Sequence, residues 1–207
     1  MKYKAVIYDI DGTLLDTIAM NMYPLMQVIE EEKQEKWTYE EVKPFFSMTG
    51  KQTMEALGLD YETVYPKWVR YVNAYEKKAA PFEGVEPLMK ALHEKGIVQA
   101  VVSAKTRAQY EIDMTDLMPY IDQTVLFEDT QKHKPDPEPL FLCLEKLGLS
   151  SHEVLYIGDA RVDALASQAS GIAFGLATWA GLVIKDIPEP AYTFASPADV
   201  LELFEHA

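Results

Sequence analysis

Six short apolar runs punctuate the chain: "KAVIYD" (4 to 9), "IVQAVVS" (97 to 103), "QTVLFE" (123 to 128), "EVLYIGD" (153 to 159), "IAFGLA" (172 to 177) and "AYTFA" (191 to 195). They are rich in β-branched residues, and most are near-continuously apolar rather than alternating, which is the pattern of strands buried on both faces of a parallel sheet. The segments between them have helical spacing. In "GVEPLMKALHEKG", Leu88, Ala91 and Leu92 fall on one face, Pro87 stands early and Gly96 closes the segment. "PDPEPLFLCLEKLG" repeats the plan with Leu140, Leu144, Leu147 and a closing Gly148. From residue 81 onward helix and strand alternate, which predicts an α/β fold with a Rossmann-like, three-layer core around a mostly parallel sheet.

Residues 17 to 80 break that rhythm. They are rich in Glu, Lys, Tyr and Trp, offer no strand pattern, and place Trp68, Tyr71 and Tyr75 at i, i+3 and i+7. This predicts a small α-helical cap domain inserted after the first strand, with "KKAAPFEG" (77 to 84) as the return hinge. The expected division is a catalytic core at 1 to 16 and 81 to 207, and a cap at 17 to 80.

Composition narrows the partners. At 48% hydrophobic over 207 residues, the chain can bury a sizeable core. Its 33 acidic against 19 basic residues give a net charge of -14, which would repel phosphate backbones and anionic headgroups, so neither nucleic acid nor a membrane surface is expected. A single cysteine, Cys143, excludes an internal disulfide and a Cys-rich metal site. With a strand where a secretory signal needs a longer apolar stretch, the expected compartment is the cytoplasm. The run "GIAFGLATWAGLVI" (171 to 184) has 14 residues and three glycines. A membrane helix needs roughly 20 residues, so the run reads as a core strand and a loop.

In open α/β sheets, ligands bind beyond the carboxyl ends of the strands. There the chain places Asp9 and Asp11, Ser103, Gly158 and Asp159 with Asp163 beyond, and Lys134 in "KHKPDP". Taken singly, each has a plain structural reading. Asp11-Gly12 is a hairpin-turn signal, Ser103 a helix cap, and Lys134 a solvated loop lysine. Asp159 and Asp163, four apart, would share a helix face at a penalty of roughly 0.2 to 0.5 kcal/mol. Together they form one coherent set: carboxylates suited to a hard cation such as Mg2+, with a hydroxyl and an ammonium to hold a phosphoryl group. Other candidates read as structural, with Cys143 packed in a helix, His93 and His206 on surfaces, and His133 in a loop.

"DIDGTLLDT", the strand-end serine of "VVSAK", "KPDP" and "GDARVD" occur in the order of the four motifs of the haloacid dehalogenase-like superfamily, and the chain resembles that superfamily over 1 to 16 and 81 to 207. It is most similar to the phosphoglycolate phosphatase and β-phosphoglucomutase branch. The resemblance implies a Mg2+-dependent phosphatase that hydrolyses a small phosphorylated metabolite through an aspartyl-phosphate. Asp9 would be the nucleophile and Asp11 the acid and base. Mg2+ would be held by Asp9, the backbone carbonyl of Asp11, and Asp159, with Asp163 ligating or orienting. Ser103 and Lys134 would grip the phosphoryl oxygens, and Thr13, also a phosphate-binding candidate, would shape the nucleophile loop. Gly50 and Lys51 stand where relatives often place a substrate-facing cap loop. Ala160 departs from the Ser or Thr frequent in relatives, which implies tuning, and Asp16 begins the connection to the cap.

A phosphosugar mutase of the same superfamily keeps all four motifs and is the alternative. A dehalogenase or phosphonate hydrolase would replace Asp11. A receiver-like signalling module would also gather aspartates, a hydroxyl and a lysine around Mg2+, but it is shorter and carries no insertion. A non-catalytic phosphate-binding protein would retain the site and act through a partner.

Overall fold

A computed structural model describes residues 2–76, 78–182, 184 and 186–205; His206 lies outside the described residues. The chain divides into two compact units, Met1–Asp16 with Pro81–Ala207, and Thr17–Ala80. The first unit opens with β1 (Ala5–Tyr8) and the two-residue β2 (Leu15–Asp16). The second holds α1 (Ile18–Lys33), α2 (Tyr39–Val42), α3 (Gly50–Leu57) and α4 (Tyr61–Asn73). The chain returns through β3 (Ala80–Pro81), which pairs with β2. It continues through α5 (Val85–Glu94), β4 (Val98–Val102), α6 (Arg107–Asp113), β5 (Gln123–Val125) and α7 (Glu138–Leu147). The last elements are β6 (Val154–Gly158), α8 (Arg161–Ser170), β7 (Ala173–Ala177), β8 (Tyr192–Phe194) and α9 (Pro197–Glu205).

Six strands form one parallel sheet in the order β5-β4-β1-β6-β7-β8. The continuous apolar runs lie at its centre because β1 and β6 are buried along their whole length. Successive side chains point to opposite faces. Ala5, Ile7, Val102 and Tyr156 pack with Leu140 and Cys143 of α7 on one face. On the other, the buried Gln99 donates to the carbonyl of Met89 in α5 at 2.8 Å and accepts from the Tyr8 hydroxyl at 3.1 Å. Helices therefore cover both faces, as expected of a three-layer core. Cys143 is buried, and burial pushes its thiol up to about 12, so it is inert packing.

Some local expectations shift. The run at 123 to 128 is a strand only to Val125; Asp129 accepts from the Leu126 amide at 2.9 Å and turns Phe127–Asp129 into a 3-10 turn. The Asp11-Gly12 turn exists, with Gly12 at φ 85°, but β2 pairs with β3 instead of folding back on β1. The cap of α6 is Thr106, whose hydroxyl accepts from Gln109, and not Ser103. Within the helical unit, α4 ends at Asn73, so Tyr75 lies beyond it and stacks on Tyr23 at 6.1 Å. Those tyrosines line a cavity of about 430 Å3. Among the described residues, no helix is long and apolar enough to cross a membrane.

Candidate active site

The sheet register sets the site. Tyr8 lies opposite Val101 on one side and Ile157 on the other, so the residues that follow β1, β4 and β6 emerge on one edge. The Asp9 amide continues the ladder to the Ile157 carbonyl at 2.9 Å. Beyond it the Ile10 carbonyl accepts from Leu14 and Leu15, both at 2.9 Å, closing a tight loop around Gly12. Thr13, fully buried in that loop, donates its hydroxyl to Asp159 Oδ1 at 3.1 Å. The loop is held from the other side by Trp179, whose indole N–H donates to the Thr13 carbonyl at 2.9 Å.

Lys134 reaches the same point from the loop between β5 and α7. Its Nζ lies 2.6 Å from Asp9 Oδ1, 2.7 Å from Asp163 Oδ1, 3.0 Å from the Tyr156 hydroxyl and 3.2 Å from the Val102 carbonyl. The Tyr156 hydroxyl in turn donates to Asp163 Oδ1 at 2.7 Å, and Asp163 Oδ2 accepts from the Ala160 amide at 3.0 Å. Both oxygens of Asp163 are thus engaged by protein donors. Gly158 makes room for it: a Cβ there would stand 2.6 Å from the Asp163 Cβ and Cγ. Asp159 precedes α8 while Asp163 sits in its first turn, so the two meet across a strand end rather than along one helix face.

Asp9, Asp159 and Asp163 are all buried, and one carboxylate oxygen from each lies within 4.8 Å of the others. Burial, partly opposed by Lys134, pushes Asp9 up to about 7. Burial and then the charges of Asp9 and Asp163 push Asp159 well above the usual carboxylate range, while the Thr13 hydroxyl opposes the shift. For Lys134 burial acts downward, but Asp163 and Asp9 outweigh it and keep the ammonium well above its ordinary value. Three crowded carboxylates against one ammonium form a donor set that a hard, oxygen-seeking cation fits. The Asp11 side chain lies outside that group and faces Lys105 instead.

The comparisons give this geometry a family. The model of the haloacid dehalogenase-like hydrolases matches residues 6–177. The chain belongs to that family. A "putative pyrophosphatase PpaX" of Caldanaerobacter subterraneus subsp. tengcongensis is 32% identical over 186 residues, 88% of this chain and 84% of that one. The phosphoglycolate phosphatase of Aquifex aeolicus is 26% identical over 210 residues, covering 98% and 97%. Among solved structures, a "putative phosphoglycolate phosphatase" of Lactobacillus plantarum superposes with a TM-score of 0.89 at 28% identity, covering 99% of this chain and all of the other.

In this hydrolase, then, the core brings together Asp9, Thr13, Lys134, Asp159 and Asp163. Ser103 is buried at the end of β4, where its Oγ accepts from the Lys105 amide at 3.2 Å. Lys132 is exposed and pairs with Asp136, which leaves Lys134 as the buried lysine of that loop. His133 stacks on Phe127 with centroids 4.4 Å apart. In the helical unit Gly50 has a packing reason of its own, since a Cβ there would fall 2.1 Å from the Tyr65 ring; Lys51 is exposed in the first turn of α3. Sequence reasoning missed Tyr156, which reads as a core aromatic, and Trp179 and Lys105, which lie in loops without periodicity.

Proposed function

We propose that this hydrolase is a Mg2+-dependent phosphatase that cleaves a small phosphorylated metabolite through a phosphoryl group carried transiently on Asp9. The observation that supports it most is the convergence of three buried carboxylates, two of them paired with the Lys134 ammonium, at the carboxyl edge of the sheet. Relatives named for pyrophosphate and phosphoglycolate hydrolysis support the same class of small, anionic phosphate substrate.

Asp9, Asp159 and the backbone carbonyl of Asp11 would hold Mg2+, with Asp163 orienting Lys134. When bound, the cation supplies positive charge against the phosphoryl oxygens. Asp9 attacks phosphorus as its bond to the leaving oxygen breaks, and Asp11 gives that oxygen its proton. Asp11, now a carboxylate, takes a proton from water as the water oxygen attacks phosphorus; Asp9 departs and inorganic phosphate is released. Lys134 and Ser103 hold the equatorial oxygens, and loss of one such donor typically costs roughly 3 to 4 kcal/mol of transition-state stabilisation. The helical unit, as a cap, would read the leaving group.

The test is hydrolysis of p-nitrophenyl phosphate, pyrophosphate and phosphoglycolate with Mg2+ or with a chelator. Chelation and Asp9→Asn should each abolish phosphate release, and full activity in Asp9→Asn would refute the mechanism. Isomerisation of a sugar phosphate with a bisphosphate activator, without phosphate release, would select the mutase instead.

A further inference from the structure

Lys105 follows Ser103 by two residues on the loop leaving β4. In the structure it is 8% exposed. A buried ammonium is unfavourable unless paired, and two carboxylates meet this one. Asp113, the last residue of α6, brings Oδ2 to 2.6 Å, and Asp11 brings Oδ1 to 3.1 Å. The lysine is fixed at its backbone as well. Its amide donates to Ser103 Oγ at 3.2 Å and its carbonyl accepts from Phe127 at 3.0 Å.

Asp11 is held less firmly. It sits in the turn at Gly12, its side chain is 33% exposed, and Oδ1 is buried without a hydrogen-bond partner, so the contact with Lys105 is an ion pair rather than a directed hydrogen bond. If Lys105 only tied α6 to the sheet, Asp113 would balance its charge alone. The second contact instead reaches the carboxylate next to the nucleophile loop.

We propose that Lys105, anchored by Asp113, is a positioning residue that holds the Asp11 carboxylate in place for its proton transfers. The proposal rests on the reading of Asp11 as acid and base. A carboxylate that must deliver a proton and then remove one is sensitive to misplacement, and an error of about 1 Å can reduce a rate on the order of 100-fold.

The test is pre-steady-state and steady-state hydrolysis of p-nitrophenyl phosphate with Mg2+ by Lys105→Met. Nitrophenolate leaves without needing an acid, whereas the second step needs Asp11 as base. The expected result is a burst of roughly one nitrophenolate per active site followed by turnover about 10- to 100-fold slower than in the parent, with kcat/KM unchanged. Lys105→Arg, which keeps a cation, should recover most of the turnover. A wild-type kcat, or a fall in kcat/KM equal to that in kcat with no burst, overturns the proposal. Lys105→Gln replaces Met if that variant does not fold; if neither folds, Lys105 is structural and the proposal fails. Asp11→Asn separates the two ideas. Undiminished turnover there removes the role of Asp11 itself, while slow turnover there beside wild-type turnover in Lys105→Met removes only that of Lys105.

Discussion

Replacing Lys134 by Met keeps the length of the side chain and removes the ammonium that faces Asp9 at 2.6 Å and Asp163 at 2.7 Å. Both carboxylates are almost wholly buried, so solvent cannot take over as counter-charge. Breaking a buried pair from one side typically costs about 3 to 5 kcal/mol. For a domain of this size each kcal/mol shifts Tm by about 2 to 4 °C, so a drop of roughly 6 to 20 °C is expected in the transition of the unit that carries the sheet. The loss should depend on pH, and its sign follows from Asp9. Burial holds this acid near 7 even with Lys134 present, and without the lysine its proton affinity rises further. An unfolded aspartate releases its proton near 3.9, so between that pH and the folded value the native state holds the extra proton and stability falls as pH rises. The deficit of Lys134→Met should therefore be largest at pH 8 and smaller at pH 5.5. Calorimetric melting of parent and variant in EDTA at both values measures it. An equal loss at the two pH values, or a shift under about 2 °C, would refute this account of Lys134.

The remaining predictions concern the same corner, with one control away from it. Gly158→Ala places a Cβ 2.6 Å from the Asp163 side chain, so Asp163 must move; the expected result is a destabilisation of about 1 to 3 kcal/mol together with loss of phosphatase activity. Gly148→Ala, with nothing within 4 Å but a φ of +65°, should show only the backbone penalty of about 1 to 2 kcal/mol and unchanged kcat. Because burial pushes Asp9 up to about 7, a proton would compete below that pH with a Mg2+ ion held there as proposed. The Mg2+ dissociation constant from titration calorimetry should rise at least about tenfold from pH 8 to pH 6, since Asp159 is raised as well, and an affinity that does not change over this range would count against a cation at Asp9.

Much of this was readable in the chain because two periodicities and one edge rule suffice for it. Continuous apolar runs mark strands covered on both faces, and the polar residues that end them must face the ligand edge, which is how Asp9, Ser103 and Asp159 could be named; Lys134, in a loop well beyond its strand, comes from the match of "KPDP" to the family motif. The run at 123 to 128 was overextended because Leu126 is buried like a strand residue while Asp129 turns the backbone beneath it. Tyr156 escaped notice because its ring belongs to the core and only its hydroxyl to the site. Lys105 and Asp113 stand eight residues apart, one before α6 and one at its last residue, a spacing that no local pattern marks as a contact. The helical unit was legible as helices but not as chemistry, since the demands on Gly50 come from the Tyr65 ring.

The position of β1 also has a consequence for the order in which the molecule can be made. It is made before every other strand of its sheet, yet it lies in the interior of that sheet, hydrogen-bonded to β4 on one side and β6 on the other. At synthesis rates of about 5 to 20 residues per second, Val98 follows its partner Ala5 by roughly 5 to 20 s, and Val154 comes later still. Residues 17 to 80, a compact unit by themselves, are complete within that interval. The apolar "AVIY" segment must therefore wait, without its sheet partners, until β4 and then β6 have emerged.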